Sequence, residues 1–501
     1  MAEKFEFKAN IPENLGIPSE AIRRFVEHLE QRKLCLHSFM VIRQGEIAAE
    51  GYYPPFGPDT PHRMYSQSKT FVAMAIGMLI GEGKLKLGDR VAGFFPEHHP
   101  ENMHPYLGEM TIRDLLMMSS PHDWTTYGKD DKNWVWTFFN RMPSHRSGTV
   151  FMYDTSATVA LCAIVEKISG RNLLDYMRPG LLDKLGFSKE AFCIERPEGG
   201  AWGGSGVICS TRDMARFALF LLAKGKWCGE QLISEAYMDQ ATSALIDTRL
   251  TTGESESQFG YGYQIWRTRH NGFATLGMGS QMCVCLPDRE LVLVTTGDTQ
   301  MVSGGCDLIM DIFWTDVYPY MTESAGEKLP ENKKAHESLR HKLASLEFLP
   351  VDGRKTSEVS RRLFGGKRYT LDRNRMGISE VRFDFEGDAG VMGYTNATGG
   401  HEIRFGICGY GDEPGEFPEK HYFGRRIGVP KGSGYRYKAS GAWFDDETLM
   451  VYVYIIDDYF GTLKINVRFG GGGRHITLFM HKAAEWFLDE YEGIASGVLA
   501  E

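Results

Sequence analysis

The 501-residue chain predicts an α+β protein built in two parts. Three observations carry this reading. Residues 64–85 form an almost uncharged helical run, which only a protein core can accept. Hairpin patterns flank the helical stretch on both sides. From about residue 364 onward short alternating strands take over, which predicts an antiparallel barrel or sandwich. The expected division is 1–320 for the first domain, 321–350 for a charged helical connector and 351–501 for the strand-rich part.

The elements follow in order. Residues 17–32 read as an amphipathic helix, started at Pro18 and Ser19, with Ile22, Phe25, Val26 and Leu29 on one stripe. "HSFMVIRQGEIAAEGYY" reads as a hairpin about Gln44-Gly45. The apolar helix comes next, with Gly83 as its stop. "MTIRDLLMMSS" is a short helix capped by Thr111, and "KNWVWTFFNRM" is an aromatic run that lines a cleft or a core. Residues 155–169 form a further helix. "CSTRDMARFALFLLAKG" opens with Ser210 and Asp213 at capping-box spacing. "SQMCVCLPDRELVLVTTGD" is a hairpin turned at Pro287-Asp288. In the last third "EVRFDFEG", "EIRFGICGY" and "TLMVYVYIID" alternate, and "TLKINVRFGGGGRHITLFMH" is two strands about a glycine turn.

Composition excludes several functions. With 42% hydrophobic and 24% charged residues, the chain can build an ordinary core. A net charge of −9 leaves no basic footprint for nucleic acid. Lys69 and Glu82 interrupt the longest apolar run, so no segment reaches the ~18 residues of a membrane span. The start, "MAEKFEFKANIPENLG", lacks the apolar core of a secretory signal, and a cytoplasmic location is expected. The nine cysteines are scattered without a CxxC pair, and buried free thiols are expected, Cys283 and Cys285 on one strand face. His98, His99 and His122 read as surface or loop residues. No metal or cofactor is expected.

Chemistry points to three places. Ser66 and Lys69, spaced i, i+3, share one helix face, whereas Ser68 lies about 100° away. The plain alternative is a capping serine beside a lysine whose head reaches water. Burial disfavours a charged amine, however, and a neutral amine can take the proton of a neighbouring hydroxyl. Tyr153 closes an extended stretch just before a helix; alone it reads as a packing tyrosine. Gly277 and Gly279 permit close backbone approach at a strand edge, or a tight turn. No G-x-S-x-G elbow, HExxH or P-loop competes.

In this order Ser-x-x-Lys, Tyr and a glycine-rich strand ending in Gln281 resemble the serine β-lactamase and penicillin-recognising superfamily. Within it the chain is similar to class C β-lactamases, D-alanyl carboxypeptidases, D-aminopeptidases, 6-aminohexanoate-dimer hydrolases and β-lactamase-fold esterases. "MTIRDLLMMSS" and "GGSGVICSTRDMARFALFLL" add to the likeness, which spans residues 17–316. The resemblance implies a β-lactamase-like domain: an antiparallel sheet built from both ends, flanked by helices, beside a helical lobe. A lipocalin-like barrel follows such domains in some relatives.

The resemblance also implies roles. Ser66 matches the acylated nucleophile, Lys69 its basic partner and Tyr153 the proton shuttle. The backbone N–H groups of Ser66 and Ser280 match the oxyanion hole. Thr155 stands where relatives carry Asn or Ser. Gly277-Met278-Gly279 stands on the third box, usually Lys-Thr-Gly or His-x-Gly, so its cation is missing. An anionic substrate then loses a charge-assisted partner of roughly 1.5–3 kcal/mol. Neutral esters or amides are therefore expected over β-lactams. Trp124 and the run Trp134-Val135-Trp136 are candidates for the substrate pocket, or for core. A small-molecule substrate is implied; whether the C-terminal part mediates homo-oligomers stays open. A β-lactamase or D-amino-acid peptidase, and a non-catalytic binder on the same fold, stay open as alternatives.

Overall fold

The computed structural model describes residues 5–253, 255–411 and 413–500. The chain divides into two compact units, Met1–Phe348 with Arg425–Gly428, and Leu349–Gly424 with Val429–Glu501.

The first unit is organised by a six-stranded antiparallel sheet. After helix α1 (Ser19–Gln31) come β1 (Leu36–Arg43) and β2 (Glu46–Tyr52), turned at Gln44-Gly45 with both residues at positive φ. Helices α2 (Ser68–Gly81), α3 (Thr155–Ser169) and α4 (Thr211–Leu222) follow. The chain then returns through β4 (Trp266–Arg267), β5 (Phe273–Gly277), β6 (Gln281–Leu286) and β7 (Leu291–Gly297), after the short β3 (Val207–Cys209), to helix α5 (Gly305–Asp316). The strand order is β2-β1-β7-β6-β5-β4, so both ends of the unit supply the sheet. β1 pairs with β7 from Leu36↔Gly297 to Arg43↔Leu291.

Burial on both faces explains why β1 reads as a continuous apolar run. Phe25 of α1 packs edge-on against Phe39 and Phe313, joining α1, β1 and α5 on one face. On the other face Ser38 Oγ meets Thr211 Oγ1 at 2.7 Å, and Cys283 and Cys285 point their thiols at Met214 and Ala218 carbonyls of α4. The two cysteines therefore share a face as their spacing requires. Cys228 is exposed, a departure from the expectation of buried thiols.

Helix α2 is buried all round, with Phe71 stacked on Phe217 of α4 at 4.2 Å. The capping boxes at Thr111/Asp114 and Ser210/Asp213 are both formed. Helix α6 (Lys333–Ala344), in the expected connector, packs back on α1 through Lys342 Nζ and Glu30 Oε2 at 2.5 Å.

The second unit opens with helix α7 (Glu358–Phe364) and forms a closed antiparallel barrel. Its strands are β8 (Arg368–Leu371), β9 (Glu380–Glu386), β10 (Ala389–Asn396), β11 (Gly399–Ile407), β12 (Arg436–Trp443), β13 (Thr448–Ile456), β14 (Phe460–Gly470), β15 (His475–Ala484) and β16 (Gly493–Leu499). Around the ring the order is β11-β10-β9-β8-β16-β15-β14-β13-β12, and β11 meets β12 to close it. An odd ring cannot alternate strand direction throughout. The closing pair is accordingly parallel, Gly406↔Ser440 and Ile407↔Gly441. Alternation fills the inside: Leu449, Val451 and Val453 face Val467, Ile465 and Leu463 across β13 and β14.

Candidate active site

Ser66 sits on a single 3₁₀ turn, Tyr65–Gln67, which feeds directly into α2. Tyr65 holds φ +47°, so the chain turns sharply into the serine. Ser66 and Lys69 thus straddle the join of two helix types, and the i, i+3 spacing still brings them together: Lys69 Nζ donates to Ser66 Oγ at 2.9 Å. Lys69 is 1% exposed, and Nζ also donates to the Gly204 carbonyl at 2.7 Å. Ser68 turns the other way, and its Oγ accepts from Val207 N of β3 at 2.9 Å.

The Gly203-Gly204 pair was visible only as part of a glycine stretch. A Cβ on Gly203 would lie 2.5 Å from Val72 Cγ2 and 2.8 Å from Cys162 Cβ, and one on Gly204 would lie 2.5 Å from Thr155 Cγ2. Two missing side chains therefore let this loop enter between α2 and α3 and present a carbonyl to the buried Lys69 Nζ. Thr155 serves here as a packing neighbour of Gly204, and its N–H donates to Thr125 Oγ1 at 3.1 Å.

Tyr153 reaches the same point from the extended segment before α3. Its side chain hydrogen-bonds Ser66, and its ring lies 5.0 Å from Lys69 Nζ. Burial pushes its hydroxyl up to about 12, partly opposed by the Ser66 hydrogen bond. The ring is held by stacking on Trp266 of β4 at 5.6 Å. Beneath it lies a network that the sequence reading missed. Asp154 is fully buried; it accepts from Ser120 Oγ at 2.8 Å and from Ser156 N at 2.8 Å, capping α3. Burial raises the Asp154 carboxyl against the pull of His122 and the two serines, and burial lowers His122. His122 lies in a loop, as one half of its reading had it, but is buried rather than on the surface, with Nε2 2.9 Å from the Phe138 carbonyl. The Asp-Thr-Ser run after Tyr153 was the available signal for this N-cap.

The third segment is the β5–β6 hairpin. Gly277 ends β5 opposite Gln281, and Met278, Gly279 and Ser280 make the turn. A Cβ on Gly277 would lie 2.3 Å from the Met64 carbonyl and 3.3 Å from Gln67 N, so the strand edge rests directly against the turn that carries Ser66. Gln67 Nε2 ties the two together through Thr275 Oγ1 at 3.0 Å. A Cβ on Gly279 would instead meet Gly297 O at 3.1 Å. Ser280, at φ +70°, is fully buried, with Oγ 2.6 Å from Thr299 Oγ1. Cys306 of α5, unremarked in the sequence, places Sγ 3.9 Å from the Gly277 carbonyl.

The aromatic candidates separate. Trp124 is 76% exposed and Trp136 is exposed, whereas Trp134 is core, stacked on Tyr127 at 4.0 Å and edge-on to Trp202. Among the described residues, no group of three or more His, Cys, Asp or Glu side chains is placed to hold a metal ion. Nor is any helix among them long and apolar enough to cross a membrane.

A sheet drawn from both ends of its unit with helices on both faces is a β-lactamase-like fold. The family model described as Beta-lactamase matches residues 22–300, more than half of the chain, and the protein belongs to that family. A 6-aminohexanoate-dimer hydrolase of Paenarthrobacter ureafaciens is 26% identical over 286 residues, 52% of this chain and 72% of that protein. A Bacillus anthracis structure described as a 6-aminohexanoate-dimer hydrolase superposes with TM-score 0.51 at 20% identity, over 62% of this chain and 87% of its own. The octameric penicillin-binding protein homologue of Pyrococcus abyssi gives TM-score 0.48 at 17% identity over 95% and 99%.

Proposed function

We propose that the protein is a serine hydrolase that cleaves small neutral esters or amides through an acyl-serine intermediate. One observation carries the reading: Lys69 Nζ donates to Ser66 Oγ at 2.9 Å, with the Tyr153 ring 5.0 Å from the same Nζ. In its neutral form Lys69, with Tyr153, takes the Ser66 proton as Oγ attacks the carbonyl carbon. The carbonyl oxygen becomes an oxyanion and is held by backbone N–H groups. The tetrahedral intermediate then expels the leaving group, which collects a proton through Tyr153. Water, deprotonated by the same pair, attacks the acyl-serine and frees the acid and Ser66.

Ser66 N–H is one oxyanion donor. The family resemblance carries the second over to Ser280. The packing supports Met278 N–H instead, because Gly277, not Gly279, lies against the serine's turn. Removing one such donor costs on the order of 10²–10³ in rate.

The preference for neutral substrates rests on positions 275 and 277. Thr275 is engaged by Gln67 and Gly277 has no side chain, so this strand edge offers no cation to a carboxylate. That the 26% identical relative is named as a hydrolase supports hydrolysis as the reaction. Reaction with a fluorophosphonate probe tests the reading: wild-type protein is labelled and Ser66→Ala is not. Wild-type protein that shows neither labelling nor ester turnover is a binder on this fold. Faster turnover of a chromogenic cephalosporin than of a short nitrophenyl ester makes it a β-lactamase instead.

A further inference from the structure

The carbonyl that receives Lys69 Nζ belongs to a turn with no side chains at its centre. The Trp202 carbonyl accepts from Ser205 N at 3.0 Å, which makes Gly203 and Gly204 the two central residues. Glycine adds backbone freedom, so the direction of the Gly204 carbonyl has to be fixed from the flanks. One side chain reaches both flanks. Arg63, fully buried, donates from Nε to the Ser205 carbonyl at 3.0 Å and from Nη2 to Ser205 Oγ at 3.0 Å. The same guanidinium lies over the Trp202 ring, 4.7 Å from its centre. It also lies over the ring of Tyr65, the residue before Ser66, at 4.2 Å. Both supports are themselves held. Arg63 pairs through its backbone with Ile208 of β3, and Trp202 Nε1 donates to the Tyr127 hydroxyl at 2.9 Å.

We propose that Arg63 is a positioning residue for the reaction: it clamps the 202–205 turn so that the Gly204 carbonyl orients the Lys69 amine toward Ser66. This rests on Ser66 as the nucleophile and Lys69 as its base, and adds the group that orients the base. A neutral amine carries two N–H bonds and one lone pair. Holding one N–H at the Gly204 carbonyl, 2.7 Å away, stops rotation about the Cε–Nζ bond and keeps the lone pair within reach of Ser66 Oγ at 2.9 Å. As Oγ attacks, the Ser66 O–H bond breaks and its proton goes to that lone pair. The bonding electrons stay on Oγ and form the bond to the carbonyl carbon. The ammonium so formed keeps Gly204 as a charge-assisted acceptor. An arginine suits the clamp because its donors are fixed in one plane, whereas an ammonium on a flexible stem does not reproduce that fork.

The test compares Arg63→Met and Arg63→Lys with Arg43→Met. Arg43 is equally buried, but its guanidinium donates to the Leu15, Gly16 and Thr322 carbonyls at 3.0, 3.2 and 2.9 Å. Turnover of nitrophenyl acetate is measured per mole of serine titrated with a fluorophosphonate, beside the urea midpoint of each variant. Both Arg63 variants are expected to lower kcat per titrated site at least about tenfold, with KM held within about twofold. Arg43→Met is expected to lower the urea midpoint and leave kcat per site within about twofold. If the Arg63 variants do not fold, Ser205→Ala removes the acceptor of Nη2 and should lower kcat per site several-fold. Three results overturn the clamp: kcat per site unchanged in the Arg63 variants, or in Ser205→Ala where those do not fold; full activity in Arg63→Lys; or an effect confined to KM. In each of these the wild-type protein is labelled and active, so the nucleophile stands. Wild-type protein that is neither labelled nor active removes the nucleophile, and the role of Arg63 falls with it.

Discussion

Strand β13 of the barrel buries one face and helix α2 of the hydrolase unit is buried nearly all round, and they bury different company. In β13 the inward residues Leu449, Val451 and Val453 meet only aliphatic neighbours directly opposite on β14. In α2 the first turn carries Ser68, Lys69 and Thr70, all at 1% exposure or less, bonded to Val207 N, Gly204 O and Gln264 O respectively. The barrel core is held by area, which many residues share. The start of α2 is held by a few specific polar contacts, each of which leaves a buried group unsatisfied when lost. The same restriction that makes the second arrangement fragile also makes it able to aim a reactive group.

The contrast can be broken from either side. The largest effect is expected at Tyr153→Phe, which keeps the stacking on Trp266 and removes the hydroxyl bonded to Ser66. A loss of roughly 10²–10⁴ in kcat with little change in melting temperature is expected; unchanged kcat would remove Tyr153 from the proton path. In the barrel, Leu463→Ala should cost about 2–5 kcal/mol in denaturant unfolding. A cost below about 1 kcal/mol would mean that the barrel interior relaxes around the gap.

Acid tests the buried polar side again. His37 and His62 are both buried, with Nδ1 and Nε2 2.7 Å apart, and burial lowers both, His62 to about 3. Their folded values lie below the unfolded ~6.5. Their contribution to stability is therefore complete above about pH 6.5 and shrinks as pH falls from there toward the folded values. The loss is at most about 1.4 kcal/mol per histidine per pH unit, read as urea midpoints at pH about 7.5 and about 5.5. A midpoint that does not move removes the neutral pair. The smallest effect is expected on the barrel surface. Arg468 pairs with Asp445 at 3.0 Å and Glu447 at 2.9 Å, all well exposed. Arg468→Ala should cost less than about 1 kcal/mol by the same unfolding measurement.

The same difference explains what the sequence revealed. Barrel strands announce themselves because "TLMVYVYII" alternates with a period that only a strand satisfies. Ser66 and Lys69 were readable because their spacing is local, and Tyr153 and the β5–β6 hairpin because their order along the chain resembled a known superfamily. Gly204 was not readable as the partner of Lys69, since 135 residues separate them and a carbonyl acceptor has no residue-type signature. The burial of His122 was not legible for a related reason. Its loop is polar in sequence, and only the buried Asp154 carboxylate and the Phe138 carbonyl bring it inside. The register of the third segment also depended on shape, because two glycines two residues apart look equivalent until one of them touches the serine's turn.

The odd number of strands in the barrel has a consequence for how it breathes. β13 and β14 are matched from Thr448↔Arg468 to Ile456↔Phe460, whereas the parallel seam between β11 and β12 holds two residue pairs. Parallel pairing is also slightly weaker per residue. The ring therefore behaves as a long antiparallel sheet fastened by a short clasp, and the clasp opens without the sheet unravelling. Amide hydrogen exchange should report it: the amide of Cys408, which donates across the seam to the Gly441 carbonyl, exchanges through local opening, while those in the middle of β13 and β14 wait for global unfolding.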